Sequence, residues 1–159
     1  MEEDKTAETP IAARLSVKEG PPPNLGQVVF EREIPSDPAL VQPLVVRVTD
    51  FLSKESLVLP RDECKIGLCL EEALQNAVLH GNKKDFKKKV KISIFMNDVE
   101  WGIIISDEGE GFDPANIKNP IQGESLWGES GRGLYLMGHY MDRLEYFNRG
   151  STVVIARKL

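Results

Sequence analysis

Between residues 40 and 52 apolar side chains recur at three- and four-residue spacing: Leu40, Val41, Leu44, Val45, Val48, Phe51 and Leu52. That rhythm predicts a helix with one inward face. Pro35 and Pro38 break the chain ahead of it, and Ser36 or Asp37 supplies a cap. A second helix is predicted from near Asp62, after Pro60, to Gly81, a residue suited to the position just past a helix end. Elsewhere the period falls to two. Val28, Phe30 and Ile34 predict a first strand over 27–34. Val90, Ile92, Ile94 and Met96 alternate with their neighbours, Asn97-Asp98 turns the chain, and Trp101, Ile103 and Ile105 complete an antiparallel hairpin. Six of the 13 glycines then fall between Gly109 and Gly133, with Pro114 and Pro120, which marks a lid or a disordered stretch at about 109–131. A short helix over 134–141 and strands over 143–148 and 152–156, joined at Arg149-Gly150, finish the pattern. The expected fold is α/β, a two-layer sandwich with helices on one face of a mixed, mainly antiparallel sheet. Residues 1–26 hold four of the ten prolines and little periodicity, and read as a disordered tail or a docking arm ahead of a domain over 27–159.

Composition narrows the function classes. The 159 residues suit one domain, and 41% apolar residues suffice for a core. Twenty basic against 25 acidic side chains leave a net charge of −5, which argues against direct nucleic-acid binding. No apolar run reaches the roughly 18–20 residues of a membrane span, and the polar N-terminus lacks the apolar core of a signal peptide, so a cytoplasmic protein without membrane attachment is expected. On one helix Cys64 and Cys69 would sit about 8–9 Å apart, too far for a disulfide. The six lysines between Lys83 and Lys91 read as a solvated turn. The phosphate-loop, dinucleotide, eukaryotic-kinase, GxSxG and HExxH motifs are all missing.

Three constellations remain. Glu72, Asn76 and His80 recur every fourth residue and form one polar stripe beside the packing face of Leu70, Ala73, Leu74 and Ala77. Glu72 suits a general base and the Asn76 carbonyl a hard cation such as Mg2+; an exposed helical face with a capping His80 explains the spacing as well. Asp107 shares the parity of Trp101, Ile103 and Ile105, so its carboxylate points to the same face and needs a donor, for which a purine amino group is one candidate. Gly109 and Gly111 follow, where backbone can approach a ligand, although an ordinary Asp-Gly turn has the same sequence. Ser130-Gly131-Arg132-Gly133 directly precedes a helix, which suits a phosphate cradle or a hinge.

In this order, ExxxNAxxHG, DxGxG and GxG resemble the asparagine box and two glycine boxes of the GHKL (Bergerat-fold) ATPase and kinase superfamily. Within it the chain looks most like the anti-sigma-factor serine/threonine kinases of the RsbW and SpoIIAB type, whose asparagine box also ends in His-Gly. The stretches Gly131-Arg132-Gly133-Leu134 and Gly150-Ser151-Thr152-Val153 add to the likeness. The resemblance implies Glu72 as catalytic base and Asn76 as Mg2+ ligand. It implies an ATP or ADP site made by Asn76, His80, Asp107, Gly109, Gly111, Gly131, Arg132, Gly133 and Thr152. Asp107 would read the adenine amino group and Thr152 would sit near the base. The subgroup can carry a basic residue two positions before the first glycine of the last box, where this chain has Glu129. Implied partners are a small STAS-type anti-sigma-factor antagonist, which would be phosphorylated, a sigma factor, which would be sequestered, and a second copy in a homodimer. A nucleotide-gated partner-switching module without phosphotransfer is the alternative. A detached histidine-kinase ATPase domain is weaker, since no phosphoacceptor helix is evident.

Overall fold

A computed structural model of the chain describes residues 16–111 and 137–159. Six strands form one sheet: β1 (Ser16–Val17), β2 (Gln27–Pro35), β3 (Lys89–Met96), β4 (Glu100–Ser106), β5 (Arg143–Phe147) and β6 (Thr152–Lys158), in spatial order β1-β5-β6-β4-β3-β2. All neighbours are antiparallel except β1 and β5. The helices are α1 (Val41–Lys54) and α2 (Glu63–Gln75), the latter prolonged by a wider π-type turn over Asn76–Gly81.

Strand alternation divides the buried side chains into two groups. Ile92, Ile94, Trp101, Ile103, Ile105, Val153 and Ile155 share one core with Leu44, Val48 and Leu52 of α1 and Ile66, Leu70 and Leu74 of α2. The opposite parity gives Phe95, Phe147, Val154 and Ala156, a smaller cluster that receives Leu25 and, among the described residues, no helical residue. Among the described residues the helices therefore cover one face, and the expected two-layer α/β sandwich is the observed one.

Local chemistry explains most boundaries. The Asp37 carboxylate accepts the Ala39 N–H at 2.9 Å, so Asp37 is the cap of the first helical turn. Ser36 has another role: it is buried, and its hydroxyl donates to the Lys88 carbonyl at 2.7 Å. Asn97 closes the hairpin by accepting the N–H groups of Val99 and Glu100. The register of β2 slips between Val28 and Phe30, which turns Val29, Phe30 and Ile34 toward the core and leaves Val28 exposed. Cys64 and Cys69 are both free, the first exposed and the second buried with its thiol pKa pushed up to about 12 by desolvation.

The expected tail needs one correction. Ser16–Val17 pairs with Glu145 and Tyr146, the Asn148 N–H donates to the Gly20 carbonyl, and Leu25 packs on the second sheet face. Extended backbone with unmet edge hydrogen bonds is available there, and sequence periodicity cannot register a two-residue strand. Residues 1–15, and the glycine-rich segment from 112 to 136, lie outside the described residues. Of the helix expected over 134–141, residues 137–140 are seen to be helical.

The side chain of Asn82 joins three segments. Its Nδ2 donates to Ser36 Oγ at 2.7 Å and to the Lys89 carbonyl at 2.9 Å, and its Oδ1 accepts the Glu108 N–H at 2.8 Å. Asn82→Ala removes three hydrogen bonds worth about 0.5–1.5 kcal/mol each, one of them to the buried Ser36 hydroxyl, so the expected loss is roughly 2–4 kcal/mol. Urea unfolding monitored by circular dichroism measures it; a loss under about 0.5 kcal/mol would show that the amide is dispensable.

Candidate nucleotide site

The end of α2, the loop after β4 and the β5–β6 connection meet around a cavity of about 270 Å³. Asn76, His80, Asp107 and Gly111, all expected from the sequence, line it together with Tyr146 and Ser151. A cavity of this kind, apolar in its walls with a few convergent polar groups, is the usual form of a small-molecule site.

The π-type turn shapes one wall. The Asn82 N–H returns five residues to the Ala77 carbonyl at 2.8 Å, and the Lys84 N–H reaches the Val78 carbonyl at 2.9 Å. One extra residue per turn is a local insertion seen mostly at functional sites. It carries Asn76, buried at 7% exposure, at its start and the exposed His80 near its end. Asn76 Nδ2 is buried and has no hydrogen-bond partner among the described residues, which leave part of this amide's bonding capacity unmet. Glu72 lies one turn earlier, outside the cavity lining and half-buried, and its carboxylate makes no hydrogen bond or ion pair among the described residues. Burial, and then the neighbouring Glu71 charge, push its pKa above the ordinary carboxylate value.

Asp107 forms the opposite wall. It continues the parity of Ile103 and Ile105, and burial drives its pKa up to about 6 against the lowering effects of the Gly109 N–H and Lys88. The Gly109 N–H donates to Oδ1 at 2.8 Å. Gly81 is glycine because of this carboxylate: its φ is not positive, but a Cβ there would stand 2.3 Å from Asp107 Oδ2. A Cβ on Gly109 would in turn meet the Gly81 carbonyl oxygen at 2.3 Å, so the two glycines let helix end and loop touch. Gly111 has φ +79° and sits against the Arg149 carbonyl, where a side chain would be both strained and blocked.

Thr152, like Glu72 and Gly109, does not line the cavity. It shares the parity of Val154 and Ala156 on the helix-free face, where its Oγ1 lies 3.0 Å from Ser106 Oγ and accepts Asn148 Nδ2 at 3.0 Å. Ser151 lines the cavity in its place, together with Val153. Period-two counting from Val153 and Ile155 already identifies position 151 as the inward one. Tyr146 was also missed; it is buried, and desolvation followed by the Asp107 charge raises its phenol pKa. Gly131, Arg132 and Gly133 lie outside the described residues. Among the described residues no group of three or more His, Cys, Asp or Glu side chains is arranged to hold a metal, and no helix is long and apolar enough to cross a membrane.

Fold and cavity together define an α/β sandwich whose cavity joins a helix end to a desolvated carboxylate. A histidine kinase-like ATPase domain profile matches residues 34–158, and the chain belongs to that family. It is 32% identical over 84 residues to the serine/threonine-protein kinase BtrW of Bordetella bronchiseptica, covering 52% of this chain and 59% of BtrW. It is 29% identical over 99 residues to the anti-sigma F factor of Clostridium perfringens, covering 59% of this chain and 71% of that protein. BtrW is thus matched over less than two thirds of its length. The GHKL resemblance read from the motifs is borne out at the level of the family.

The raised pKa of Asp107 has a definite sign in stability. The folded chain holds this proton more tightly than an unfolded one, so the ionised carboxylate opposes folding above pH 6 and that penalty fades as pH falls through 6 toward 4. Asp107→Asn is therefore expected to exceed the wild type in stability most above pH 6, and by a shrinking margin down to pH 4. Urea midpoints at pH 7.5, 6 and 4.5 check this; a constant margin rules out a desolvated Asp107.

Proposed function

We propose that the chain is an ATP- and Mg2+-dependent protein serine/threonine kinase that also acts as an anti-sigma factor. The observation that carries the reading is the convergence of Asn76, with its unmet amide, and desolvated Asp107 on one cavity, with the uncommitted Glu72 one turn from Asn76. Family membership supports nucleotide binding. The names of the two relatives supply the serine/threonine-kinase and anti-sigma halves of the proposal.

In this reading the ionised Asp107 accepts the adenine amino group, with Gly109 fixing the carboxylate's orientation through its N–H. His80 and Gly111 border the nucleotide, and Gly131, Arg132 and Gly133 contact its phosphates. Ser151 replaces Thr152 beside the base. Asn76 would hold Mg2+ through its carbonyl oxygen, and the ion when bound neutralises phosphate charge and orients the transferring group. Such a cation keeps several waters and takes most other ligands from phosphate, so one protein oxygen is a sufficient anchor. Glu72 takes the proton of the incoming hydroxyl; its raised pKa makes it a stronger acceptor than an ordinary carboxylate. The acceptor would be a Ser or Thr of a small STAS-type antagonist, and the sequestered partner a sigma factor, with the chain acting in the cytoplasm as a homodimer. The nucleotide-gated binding module without phosphotransfer stays as the second reading, because Glu72 stands outside the cavity lining.

Two substitutions test the roles separately. Asp107→Asn replaces an acceptor by a group with its own donor, and ATP affinity by calorimetry is expected to fall about 10- to 150-fold. An unchanged affinity in the folded variant removes Asp107 from the adenine contact. Glu72→Gln should bind ATP and the sigma factor normally yet transfer phosphate to the antagonist about 10²–10⁴ times more slowly, as loss of a general base requires. Transfer at the wild-type rate refutes the base assignment, and a wild type that transfers nothing to its antagonist favours the binding module.

A further inference from the structure

The turn from the end of α2 to β3 carries charge that the site does not use. Lys83, Lys84, Lys87, Lys89 and Lys91 are exposed, and among them stands Phe86, an aromatic ring at 64% exposure. Lys89 and Lys91 pair with Glu33 and Glu31 across the strand pair, at 3.2 and 3.4 Å. Among the described residues Lys83, Lys84 and Lys87 make no side-chain hydrogen bond or ion pair. A solvated turn explains lysines in general, but two features go beyond it.

Lys83 and Lys84 both have positive φ, 52° and 57°, a conformation that glycine or asparagine would adopt at less cost. The turn is also rigidly tied. The Lys84 N–H bonds Val78, the Lys87 N–H bonds the Asp85 carboxylate, and the Lys88 and Lys89 carbonyls are held by the buried Ser36 and Asn82. Three unpaired ammonium groups and one ring are thus presented on a fixed platform. Beside it runs a groove of about 470 Å³ bordered by Lys87, Lys89 and Lys91 together with Ser106 and three carboxylates, those of Glu33, Asp107 and Glu108.

We propose that this lysine turn is a docking site for an acidic protein segment that carries an apolar side chain, with Phe86 as the apolar contact. The rest of the chain is acidic enough to bring the total to −5, so an extended polyanion such as a nucleic acid or a lipid surface meets repulsion beyond the patch. A short acidic segment seated on Lys83, Lys84, Lys87 and Phe86 meets the patch without entering the groove, whose Glu33, Asp107 and Glu108 carboxylates would repel it. An excess of positive charge on one turn, interrupted only by Asp85, also orients the encounter and makes its rate depend on salt. This inference does not depend on phosphotransfer.

The test uses the full chain and a fluorescein-labelled twelve-residue peptide of aspartate and glutamate with one central leucine. Anisotropy should show saturable binding at 50 mM salt that weakens at least fivefold at 200 mM. The triple variant Lys83→Glu/Lys84→Glu/Lys87→Glu should lose at least tenfold in affinity and Phe86→Ser at least threefold, both with wild-type melting temperature and ATP affinity. Reversing Lys54, Lys65 and Lys158 together should change peptide affinity less than twofold. The proposal is overturned if the peptide does not bind at 1 mM or if the two triple variants weaken it equally. Tighter binding to phosphatidylglycerol vesicles or single-stranded DNA than to the peptide overturns it too.

Discussion

The arrangement depends most on one buried amide. Asn82 follows the π-type turn directly, and its three hydrogen bonds reach the β2–α1 corner, the start of β3 and the loop after β4. The bond to Ser36 is fully buried and the other two are half-buried, so separating the segments leaves the Asn82 amide and the Ser36 hydroxyl unmet in the interior. That constraint fixes the distance between helix end and loop, and Gly81 and Gly109 make the distance attainable. With side chains at either position the backbone could not close, and Asp107 could not stand against the end of the helix.

The same closeness has an electrostatic consequence. Asp107 is held beside Tyr146 and the apolar ends of β4 and β6, where burial outweighs the Gly109 N–H and the Lys88 charge that favour its ionised form. A fold selected for stability alone would place an aliphatic side chain there. Asn76 shows a similar mismatch across the cavity, and Glu72 a milder one. Polar groups left partly unmet around a cavity are poised for a ligand that supplies the missing partners.

The two faces of the sheet divide the work. The helix-covered face holds the large core and ends in the cavity, while the other face is closed by Phe95, Phe147, Val154 and Ala156 with Leu25 laid across them. Thr152 belongs to that second face, and its bonds with Ser106 and Asn148 secure the β4–β6 pairing next to the site rather than inside it. A one-residue step along a strand reverses direction, which is why neighbouring Ser151 and Thr152 do unrelated things.

Period and chemistry in the sequence determined the helices, the hairpin, the one-sided helical layer and the candidates Glu72, Asn76 and Asp107, because each depends on neighbours a few positions away. Strand parity alone even pointed Asp107 inward. What only the tertiary structure decided are contacts between segments far apart in the chain. Gly81 reads locally as the residue past a helix end, yet its φ is ordinary and its reason is a carboxylate 26 positions later. Ser36 reads as a cap and is instead a buried partner of Asn82 and Lys88. Ser16–Val17 has no pattern of its own and becomes a strand because β5 offers it an edge. Such positions are fixed by the need to fill space and satisfy polar groups across the interior, and that requirement is not written in any local window of the chain.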